Sequence, residues 1–510
     1  MAIFILRRLV ASFFIVLAAS FIVYLLMANA GDPLEFLREI TNPTEREAIE
    51  RSVTEALNLD VPPVRRYFHW LADVLRGDFG ISARTRLPVN DELAARLPTT
   101  LKLVAASWIL SIVFGVSIGV VTALRQYSAF DYIVTFFTFV FFSLPVFWVA
   151  VILKDVGGIR LNDWFRDGAE LSTAVIAAGA IAVAILAFSI AGGHVLRRAI
   201  IAAASGVAFG AFLIYLSRSG WFTNPSIGWA LIPLSLGAAI GATAIFAGIA
   251  NRKALLTAVT VAVIGMALYF PLQSVFDDDS MDLTKLLLLG LIAIAVGVAT
   301  GYAYGGFDKG LSAKIGGLVA FLISLMIFVD RLMLEFSEYT TNSIIRGRPI
   351  KTIGDRETRL EGNFWLLGND VVTHLVLPTI TLMLISLAGY TRYSRASMLE
   401  VLNQDYVRTA RAKGLSERTV VVRHGLRNAL IPLATIVAFD IGGILGGAVI
   451  TESVFEWNGM GRMFIEGLRS LDPNPVMAFF VIVGLTAVLA NLLADIVYSI
   501  LDPRIRLTDS

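Results

Sequence analysis

The sequence predicts an all-α polytopic membrane protein with about twelve transmembrane helices. Its 510 residues are 56% hydrophobic and only 16% charged, whereas soluble domains are roughly 45–50% apolar and about 25% charged. The apolar residues occur in blocks of about 20, the length that crosses the hydrocarbon core of a bilayer. Basic residues gather in every second connection between blocks, as in cytoplasmic loops. The net charge of +2 therefore reflects membrane topology and gives no reason to expect a nucleic-acid partner.

The first apolar block, at residues 9–28, follows Arg7 and Arg8. It is longer than the roughly 7–15 residues of a signal-peptide core, so we predict a retained first span, with a cleaved signal as the alternative. Basic residues that precede a span stay in the cytoplasm, which places the N-terminus there. The polar residues 31–98 that follow are predicted to form a small helical subdomain on the extracytoplasmic side.

Two short helices are predicted within this subdomain. The first begins near Thr44, whose hydroxyl can form a capping box with Glu47. The second is marked by Val64, Phe68 and Leu71, which recur at helical spacing.

The second and third spans are predicted at residues 101–124 and 132–153, joined by a tight inner turn. Pro145 lies inside the third span, where proline removes a backbone hydrogen bond and clashes with the preceding turn. We therefore predict a kink in the third span.

Residues 156–365 contain six further apolar blocks that are rich in alanine, glycine and leucine. The blocks lie at residues 171–192, 198–217, 227–250, 254–275, 284–304 and 314–334. Bases recur in every second connection between them, as expected when loops alternate between the two sides. The small residues permit close helix packing, and the scarcity of ionisable residues gives no support to an ion relay.

Three more spans are predicted at residues 371–387, 431–450 and 476–501, which leaves the C-terminus in the cytoplasm. The first two enclose a strongly basic loop, residues 392–430. Its bases are Arg392, Arg395, Arg408, Arg411, Lys413, Arg418, Arg423 and Arg427. Such a loop resists translocation, so an even number of inserted spans is expected before it.

Within the basic loop, residues 405–413 are predicted to form a short helix that ends at Gly414, and Ser416 can cap the next helix. Two short helices joined by a glycine bend make a compact knob beyond the membrane surface. A helix presented in this way suits a groove in a partner protein.

The stretch from Asp405 to Pro432 resembles the EAA loop of permease subunits in binding-protein-dependent ABC importers, specifically the dipeptide, oligopeptide and nickel class. The family pattern is Glu-Ala-Ala, three residues and glycine. It is matched here by Arg408-Thr409-Ala410 and Gly414, a departure that the peptide class shares.

Further matches to this family lie outside the loop. They are the N-terminal FILRRLV with GDP, which looks like the first permease type, Gly77-Asp78-Phe-Gly-Ile-Ser82, Arg96-Leu-Pro-Thr-Thr-Leu101, His374-Leu-Val-Leu-Pro378, Thr451-Glu452-Ser-Val-Phe455 and Leu501-Asp-Pro-Arg504. The resemblance covers about residues 1–155 and 366–507. It implies a six-span permease core in two parts, residues 1–155 and 366–510, interrupted by an inserted membrane region at 156–365.

The resemblance also implies a function and partners. The chain would be the permease subunit of an ATP-driven peptide importer in a prokaryotic plasma membrane. It would form the translocation path with a second homologous permease, bind one or two ABC ATPase subunits, and receive substrate from an extracytoplasmic substrate-binding protein. No GxxxxGK[ST] phosphate loop is present. We therefore expect no enzyme activity and no cofactor in this chain, with ATP and Mg²⁺ on the ATPase subunits and membrane lipid around the spans.

Two sets of residues follow as site predictions. The ATPase-coupling set is Tyr406, Arg408, Thr409, Ala410, Arg411, Lys413, Gly414 and Arg418; the alternative for its bases is contact with lipid headgroups. The translocation-path set is Asp440, Gly443, Gly447 and Glu452. For the glycines the alternative is close helix packing, for Asp440 it is contact with a neighbouring helix, and for Glu452 it is simple access to water.

An ion-driven secondary transporter or channel with a fused accessory domain is the second functional hypothesis. The lack of paired intramembrane acids and of inverted-repeat helix breaks argues against it. The inserted region is either a lipid-facing accessory bundle or a domain with its own transport or lipid-binding role. A membrane enzyme is a distant third, because no HExxH or Ser/His constellation is visible, and zero cysteines with four scattered histidines make a metal site unexpected.

Overall fold

The computed structural model describes residues 2–39, 41–278 and 280–501. These residues form nineteen α-helices and no β-strand, apart from an isolated antiparallel bridge between Ile81 and Pro88. Eleven helices are long and apolar enough to cross a membrane, and a bent pair raises the number to twelve. The predicted all-α membrane fold with about twelve spans is confirmed. The predicted tail at 502–506 lies outside the described residues.

The first part of the chain contains two membrane-spanning helices, a bent helical pair and the polar subdomain. Its helices are α1 (Ala2–Ala30), α2 (Pro43–Leu57), α3 (Pro63–Val74), α4 (Val89–Leu124), α5 (Ala129–Ser143), α6 (Val146–Ile152) and α7 (Leu161–Arg166). A π-helical segment, Leu153–Arg160, joins α6 to α7.

The middle of the chain, which the sequence predicts to be an insertion, forms a bundle of six long helices, here called the inserted bundle. They are α8 (Thr173–Ile190), α9 (Val195–Arg218), α10 (Leu231–Phe246), α11 (Arg252–Phe276), α12 (Leu283–Tyr304) and α13 (Lys309–Thr341). The helices α12 and α13 approach each other so closely that a Cβ on Gly297 would overlap the carbonyl oxygen of Gly316. The small residues here therefore serve close packing, as the composition predicted.

The last part of the chain returns to long spans with short helices between them. Its helices are α14 (Phe364–Leu402), α15 (Asp405–Ala412), α16 (Glu417–Thr419), α17 (Arg427–Val454), α18 (Met460–Arg469) and α19 (Pro473–Leu501). A π-helical segment, Val420–Leu426, connects α16 to α17.

The start of α2 differs from the sequence prediction. Its N-cap is Asn42, whose side-chain oxygen accepts a hydrogen bond from the Thr44 backbone N–H at 3.1 Å. Pro43 is then the first helical residue, where its missing N–H and fixed φ carry no cost. The predicted capping box between Thr44 and Glu47 is wrong, because the helix begins before Thr44.

The buried face of α3 also differs from the predicted pattern. Tyr67 and Trp70 are buried against Tyr24 of α1, whereas Val64 and Phe68 are exposed. The Tyr67 hydroxyl lies 2.8 Å from the Ser20 hydroxyl in α1, so the aromatic residues of α3 make the tertiary contact.

The predicted kink at Pro145 is a break with a bend of 105° between α5 and the helical stretch that begins at Val146. One end of this bent pair contacts α14 through an ion pair between Asp131 and Arg395. Its other end is held by Asn162, which exchanges two hydrogen bonds with Ile350, a residue that precedes α14. Because the two contacts lie near opposite ends of α14, the bent pair crosses the membrane once.

The loops of the chain divide between two sides of the membrane. The Arg125 guanidinium donates to the Ile190 carbonyl, and Gly248 lies beside Arg418, so these loops share one side. We call this the inner side. On the opposite, outer side, the indole N–H of Trp365 at the start of α14 donates to the carbonyl oxygen of Phe276 at the end of α11. The inserted bundle thus packs on the outer half of α14.

Candidate functional site

The basic loop is a small folded knob at the inner end of α14. This helix has 39 residues, which at about 1.5 Å per residue makes it about 58 Å long. A hydrocarbon core is about 30 Å thick, so α14 extends well beyond it. Residues 403–426, here called the basic knob, turn back from this projecting end to the start of α17.

The basic knob has its own apolar centre. Val407 and Ala410 of α15 pack against Val420 of the π-helical segment, and all three are buried. Val401 and Leu402 at the end of α14 complete this cluster. The arrangement fixes α15 relative to the membrane spans, so a force applied to α15 is carried into α14 and α17.

Gly414 makes the bend predicted for it. Its φ of 73° is left-handed, a conformation that glycine adopts without strain. The Gly414 N–H donates to the carbonyl oxygen of Arg411 at 2.9 Å, which closes the end of α15. A Cβ at Gly414 would meet no atom within 4 Å. The requirement for glycine is therefore conformational and not steric.

The predicted coupling residues fall into two groups in the structure. Arg408 and Lys413 are exposed beside Gly414, whereas Ala410 is buried and available only to the knob's own core. Arg411 is exposed but forms a two-point contact with Glu417, its Nη2 lying 2.8 Å from Oε1. Arg411 therefore stabilises the bend at Gly414 and also adds positive charge to the surface of the knob.

The other predicted coupling residues have local partners. Tyr406 is 42% exposed, and its hydroxyl accepts a hydrogen bond from the Asn428 side chain at 3.0 Å. The Thr409 hydroxyl donates to the carbonyl oxygen of Asp405 at 2.8 Å. Leu415, which sequence reasoning missed, is 41% exposed and adds an apolar contact point beside the bases.

Arg418 links the knob to the inserted bundle. A Cβ built on Gly248, in the loop between α10 and α11, would lie 3.0 Å from Arg418 Nη1. Gly248 has a φ of 87°, so this loop can approach closely without a side chain. From the sequence, Arg418 was predicted to contact only an ATPase subunit, because a single sequence gives no sign of a contact between residues 170 positions apart.

The base of the knob is held to α5 by an ion pair between the half-buried Arg395 and the buried Asp131. Arg395 Nε and Nη2 each lie 2.8 Å from an oxygen of Asp131, which is 2% exposed. The Tyr127 backbone N–H donates to the same carboxylate at 3.1 Å. Two-point guanidinium–carboxylate pairs are strong and directional. The bent pair and α14 therefore meet at a fixed angle.

Two of the predicted path residues share one face of α17. Asp440 is partly exposed and lies beside the buried Tyr390 hydroxyl of α14. Gly443, three residues later and so on the same helix face, is exposed, and a Cβ there or at Gly446 would meet nothing within 4 Å. Therefore no other described part of this chain packs closely against these two glycines. Gly447 lies in α17, but its surroundings lie outside the described residues.

Glu452 occupies a different place from the other predicted path residues. It is fully buried at the outer end of α17, where the Thr100 hydroxyl donates to it at 2.6 Å and the Arg462 backbone N–H at 3.1 Å. Thr100 also accepts from the Met460 N–H at 2.8 Å. The alternative that Glu452 reaches water is wrong. It joins α4, α17 and α18 into one unit.

Two further carboxylates brace the same outer region. Burial raises the pKa of Glu466, but the guanidinium groups of Arg462 and Arg96 outweigh this effect and hold the pKa below its usual range. Burial raises the pKa of Asp472, which accepts from the Ser82 hydroxyl at 2.7 Å. The Asp472 contact ties the polar segment after α3 to the turn before α19, and the ion pair between Arg96 and Glu466 ties α4 to α18.

Among the residues that the structure describes, no group of three or more histidine, aspartate or glutamate side chains could hold a metal ion. The functional geometry therefore consists of the basic knob, the open glycine face of α17 and the braced outer end.

Comparison with known proteins gives one matching family model, the binding-protein-dependent transport system inner membrane component, over residues 315–507. This match includes the basic knob and all of α14 to α19.

Three relatives match nearly the whole chain. The oligopeptide transport system permease protein OppB of Mycobacterium tuberculosis is 27% identical, over 98% of this chain and 98% of its own. AppB of Bacillus subtilis, also named an oligopeptide transport system permease protein, is 26% identical over 99% of each chain. The dipeptide transport system permease protein DppB of Escherichia coli is 26% identical over 93% of this chain and 90% of its own.

A fourth relative matches a shorter part of this chain. A protein of Brucella ovis named as a peptide permease is 46% identical over 139 residues, which are 27% of this chain and 44% of that protein.

Proposed function

This chain belongs to the family of permeases in binding-protein-dependent ABC importers, and from that premise we propose that it imports peptides. In this proposal it forms the translocation path together with a second homologous permease. ATP is hydrolysed by one or two separate ATPase subunits, and an extracytoplasmic binding protein delivers the substrate. The peptide substrate is supported by the names of three relatives that match over nearly their full length.

The basic knob is the proposed contact with an ATPase subunit. The observation that carries this role is the exposed surface of Arg408, Lys413 and Leu415 around the left-handed Gly414, on a knob with its own core. A rigid helix with a mixed basic and apolar surface fits a groove in another protein. The inner side is then the cytoplasm, in accordance with its bases, and the membrane is the plasma membrane of a prokaryote.

The open face of α17 is the proposed contact with the second permease and the path between them. Gly443 and Gly446 expose backbone without a neighbour, and small residues allow another helix to approach closely. Asp440 adds a polar group on this face that a peptide ammonium can meet as it passes.

The central test is peptide-dependent ATP hydrolysis by the reconstituted complex of both permeases, the ATPases and the binding protein. We expect binding protein loaded with peptide to stimulate hydrolysis several-fold. Replacing Arg408→Glu and Lys413→Glu together should abolish this stimulation, because the charge of the proposed contact is reversed. Stimulation that survives this double variant would remove the knob from the coupling mechanism.

A matched control distinguishes loss of the proposed ATPase contact from a general effect of reversing basic charge. Arg197→Glu with Lys309→Glu reverses two exposed bases on the same inner side but outside the knob. This variant should keep stimulated hydrolysis near the unaltered level. Equal loss in both double variants would favour the alternative that the bases face lipid headgroups.

The partner interface can be tested by cross-linking, because the chain contains no cysteine. Gly443→Cys should form a disulfide or a short cross-link with a cysteine on the second permease under mild oxidation. Leu489→Cys, on an exposed position of α19, provides the comparison. Cross-linking at Leu489→Cys but not at Gly443→Cys would place the partner elsewhere.

The second candidate function, ion-driven transport by this chain alone, predicts uptake without ATPase subunits. Proteoliposomes that contain only this chain should show no uptake driven by a proton or sodium gradient. Uptake under those conditions would overturn the ATP-driven proposal.

A further inference from the structure

An apolar cavity of about 460 Å³ lies between α11, α12 and α13 of the inserted bundle. Leucine, isoleucine, valine and phenylalanine side chains make up most of its lining, and Ser324 is the one lining residue with a polar side chain. Cavities of this volume and character bind small apolar molecules. None of its lining residues belongs to the knob or to α17.

The shape of the cavity restricts what fills it. It follows α12 from Leu283 to Gly297, a distance of about 21 Å at about 1.5 Å per residue. The cavity is therefore a long groove lined by apolar side chains. An extended lipid alkyl chain has about this length and fits a groove of this shape.

The position of the cavity indicates where such a chain comes from. The cavity begins at the outer ends of α11 and α12 and extends past the middle of both helices, so a chain enters it from the outer side. Its rim includes Leu287 and Ile292, which are 59% and 51% exposed. Exposed apolar residues of a spanning helix face hydrocarbon. A lipid chain of the outer leaflet is therefore the species in contact with the opening.

The charges at the outer mouth restrict the headgroup. The loop between α11 and α12 carries Asp277, Asp278 and Asp282, and the two nearby bases are already paired. Arg331 lies 2.8 Å from Asp277, and Lys285 lies 3.9 Å from Asp278. The excess of acid repels an anionic headgroup and attracts an ammonium.

We propose that this cavity is a lipid-binding site, which seats one alkyl chain of an outer-leaflet lipid with a zwitterionic, ammonium-bearing headgroup. The site belongs to the inserted bundle and is independent of the peptide substrate proposed above. It gives the bundle a bound lipid as a structural component, in addition to the lipids that surround any membrane protein.

Gly290 provides a direct test of the proposal. It lines the cavity, and a Cβ there would meet no atom within 4 Å. Gly290→Phe should therefore fill the cavity without displacing its walls. Gly241 in α10 is equally open but does not line the cavity, so Gly241→Phe is the matched control.

The experiment uses the whole importer complex in membranes that contain a phosphatidylethanolamine with a photoactivatable group in one acyl chain. After illumination and digestion, mass spectrometry should find most of the label on peptides from α11, α12 and α13. Gly290→Phe should reduce this label at least five-fold, and Gly241→Phe should leave it unchanged. Label spread evenly over α8 to α13, or unaffected by Gly290→Phe, would overturn the site.

Two further labelling measurements test the proposal. Gly290→Ala adds only one methyl group and should give intermediate labelling if the phenylalanine variant fails to fold; labelling equal to that of the unaltered protein would count against the site. A phosphatidylglycerol probe should label the same peptides several-fold less. Equal labelling by the two probes would overturn the preference for a zwitterionic headgroup.

Discussion

The permease core holds more of its helices together through buried polar contacts than the inserted bundle does. In the core, buried acids each hold groups from several elements: Glu452 joins α4 to α17 and α18, and Asp131 joins α5 to α14. In the bundle, α12 and α13 meet through Gly297, Gly301 and Gly316 with almost no polar contact. Within the described part of α8 to α13, Asp330 is the one fully buried acid.

The difference indicates that the core, rather than the bundle, has to hold its helices at defined angles to one another. Directional hydrogen bonds fix angles between helices, whereas close apolar packing in a bilayer gains only dispersion energy and tolerates its lipid surroundings. We infer that polar contacts hold the helices of the core in defined positions, whereas the bundle mainly fills space within the membrane. The predictions below test this contrast, from the largest expected effect to the smallest.

Replacing Glu452→Ala should have the largest effect on stability. The change leaves the Thr100 hydroxyl and the Arg462 N–H buried without an acceptor, and each such group costs about 1–3 kcal/mol. We expect the free energy of unfolding to fall by about 3 kcal/mol or more, or the complex not to assemble. Thermal unfolding of the purified complex measures the change.

The control for this prediction is Glu456→Ala, four residues away and exposed. Its effect should stay within about 0.5 kcal/mol, as for ordinary surface substitutions. Similar losses in both variants would mean that the buried network does not distinguish the core.

In the inserted bundle, Gly297→Val should destabilise by overpacking. The new side chain would meet the Gly316 carbonyl of α13, so the two helices must separate, at a cost of about 1–3 kcal/mol. Because the bundle contacts the core mainly along α14, we expect increased protease cleavage in the bundle's loops but preserved peptide-stimulated ATP hydrolysis.

The matched variant is Gly241→Val, in α10 of the same bundle, which faces open space and does not line the cavity. It should leave proteolysis unchanged. Loss of ATP hydrolysis with Gly297→Val alone would show that the bundle takes part in the transport mechanism and is not an accessory.

Much of the fold was predictable because hydropathy and basic loops report directly on the membrane. The six blocks of the bundle, the break at Pro145 and the bend at Gly414 all have local causes in the sequence. The prediction failed where contact with another helix determines which side chains are buried. Helix α3 buries Tyr67 and Trp70 instead of the predicted apolar face at Val64 and Phe68.

The site was predictable in part for the same reason. Exposed bases and the glycine bend are local features, whereas the burial of Ala410 and the contact of Arg418 with the Gly248 loop depend on distant residues. The role of Glu452 was missed because Thr100 and the turn after α17 meet it only in the folded chain. The assignments of the knob to an ATPase and of α17 to the path stay predictions.

The ion pair between Asp131 and Arg395 should contribute a coupling energy of about 1–2 kcal/mol. A double-mutant cycle with Asp131→Asn, Arg395→Gln and the combination measures it through the thermal unfolding of the complex. Arg395→Gln should destabilise more than Asp131→Asn, because it leaves the buried Asp131 carboxylate without its guanidinium, whereas Arg395 is half-buried and can reach water. Strictly additive effects would show that the pair does not couple the bent span to α14.

Gly414→Ala should give the smallest effect on stability and separate conformation from contact. Placing an alanine at a φ of 73° costs about 1–2 kcal/mol, and no atom within 4 Å adds a steric cost. Asparagine tolerates this conformation better than other residues with a side chain, so Gly414→Asn should retain more peptide-stimulated ATP hydrolysis than Gly414→Ala. The reverse order, or equal and complete loss in both variants, would indicate that a partner touches Gly414 itself and that space, not backbone conformation, requires glycine there.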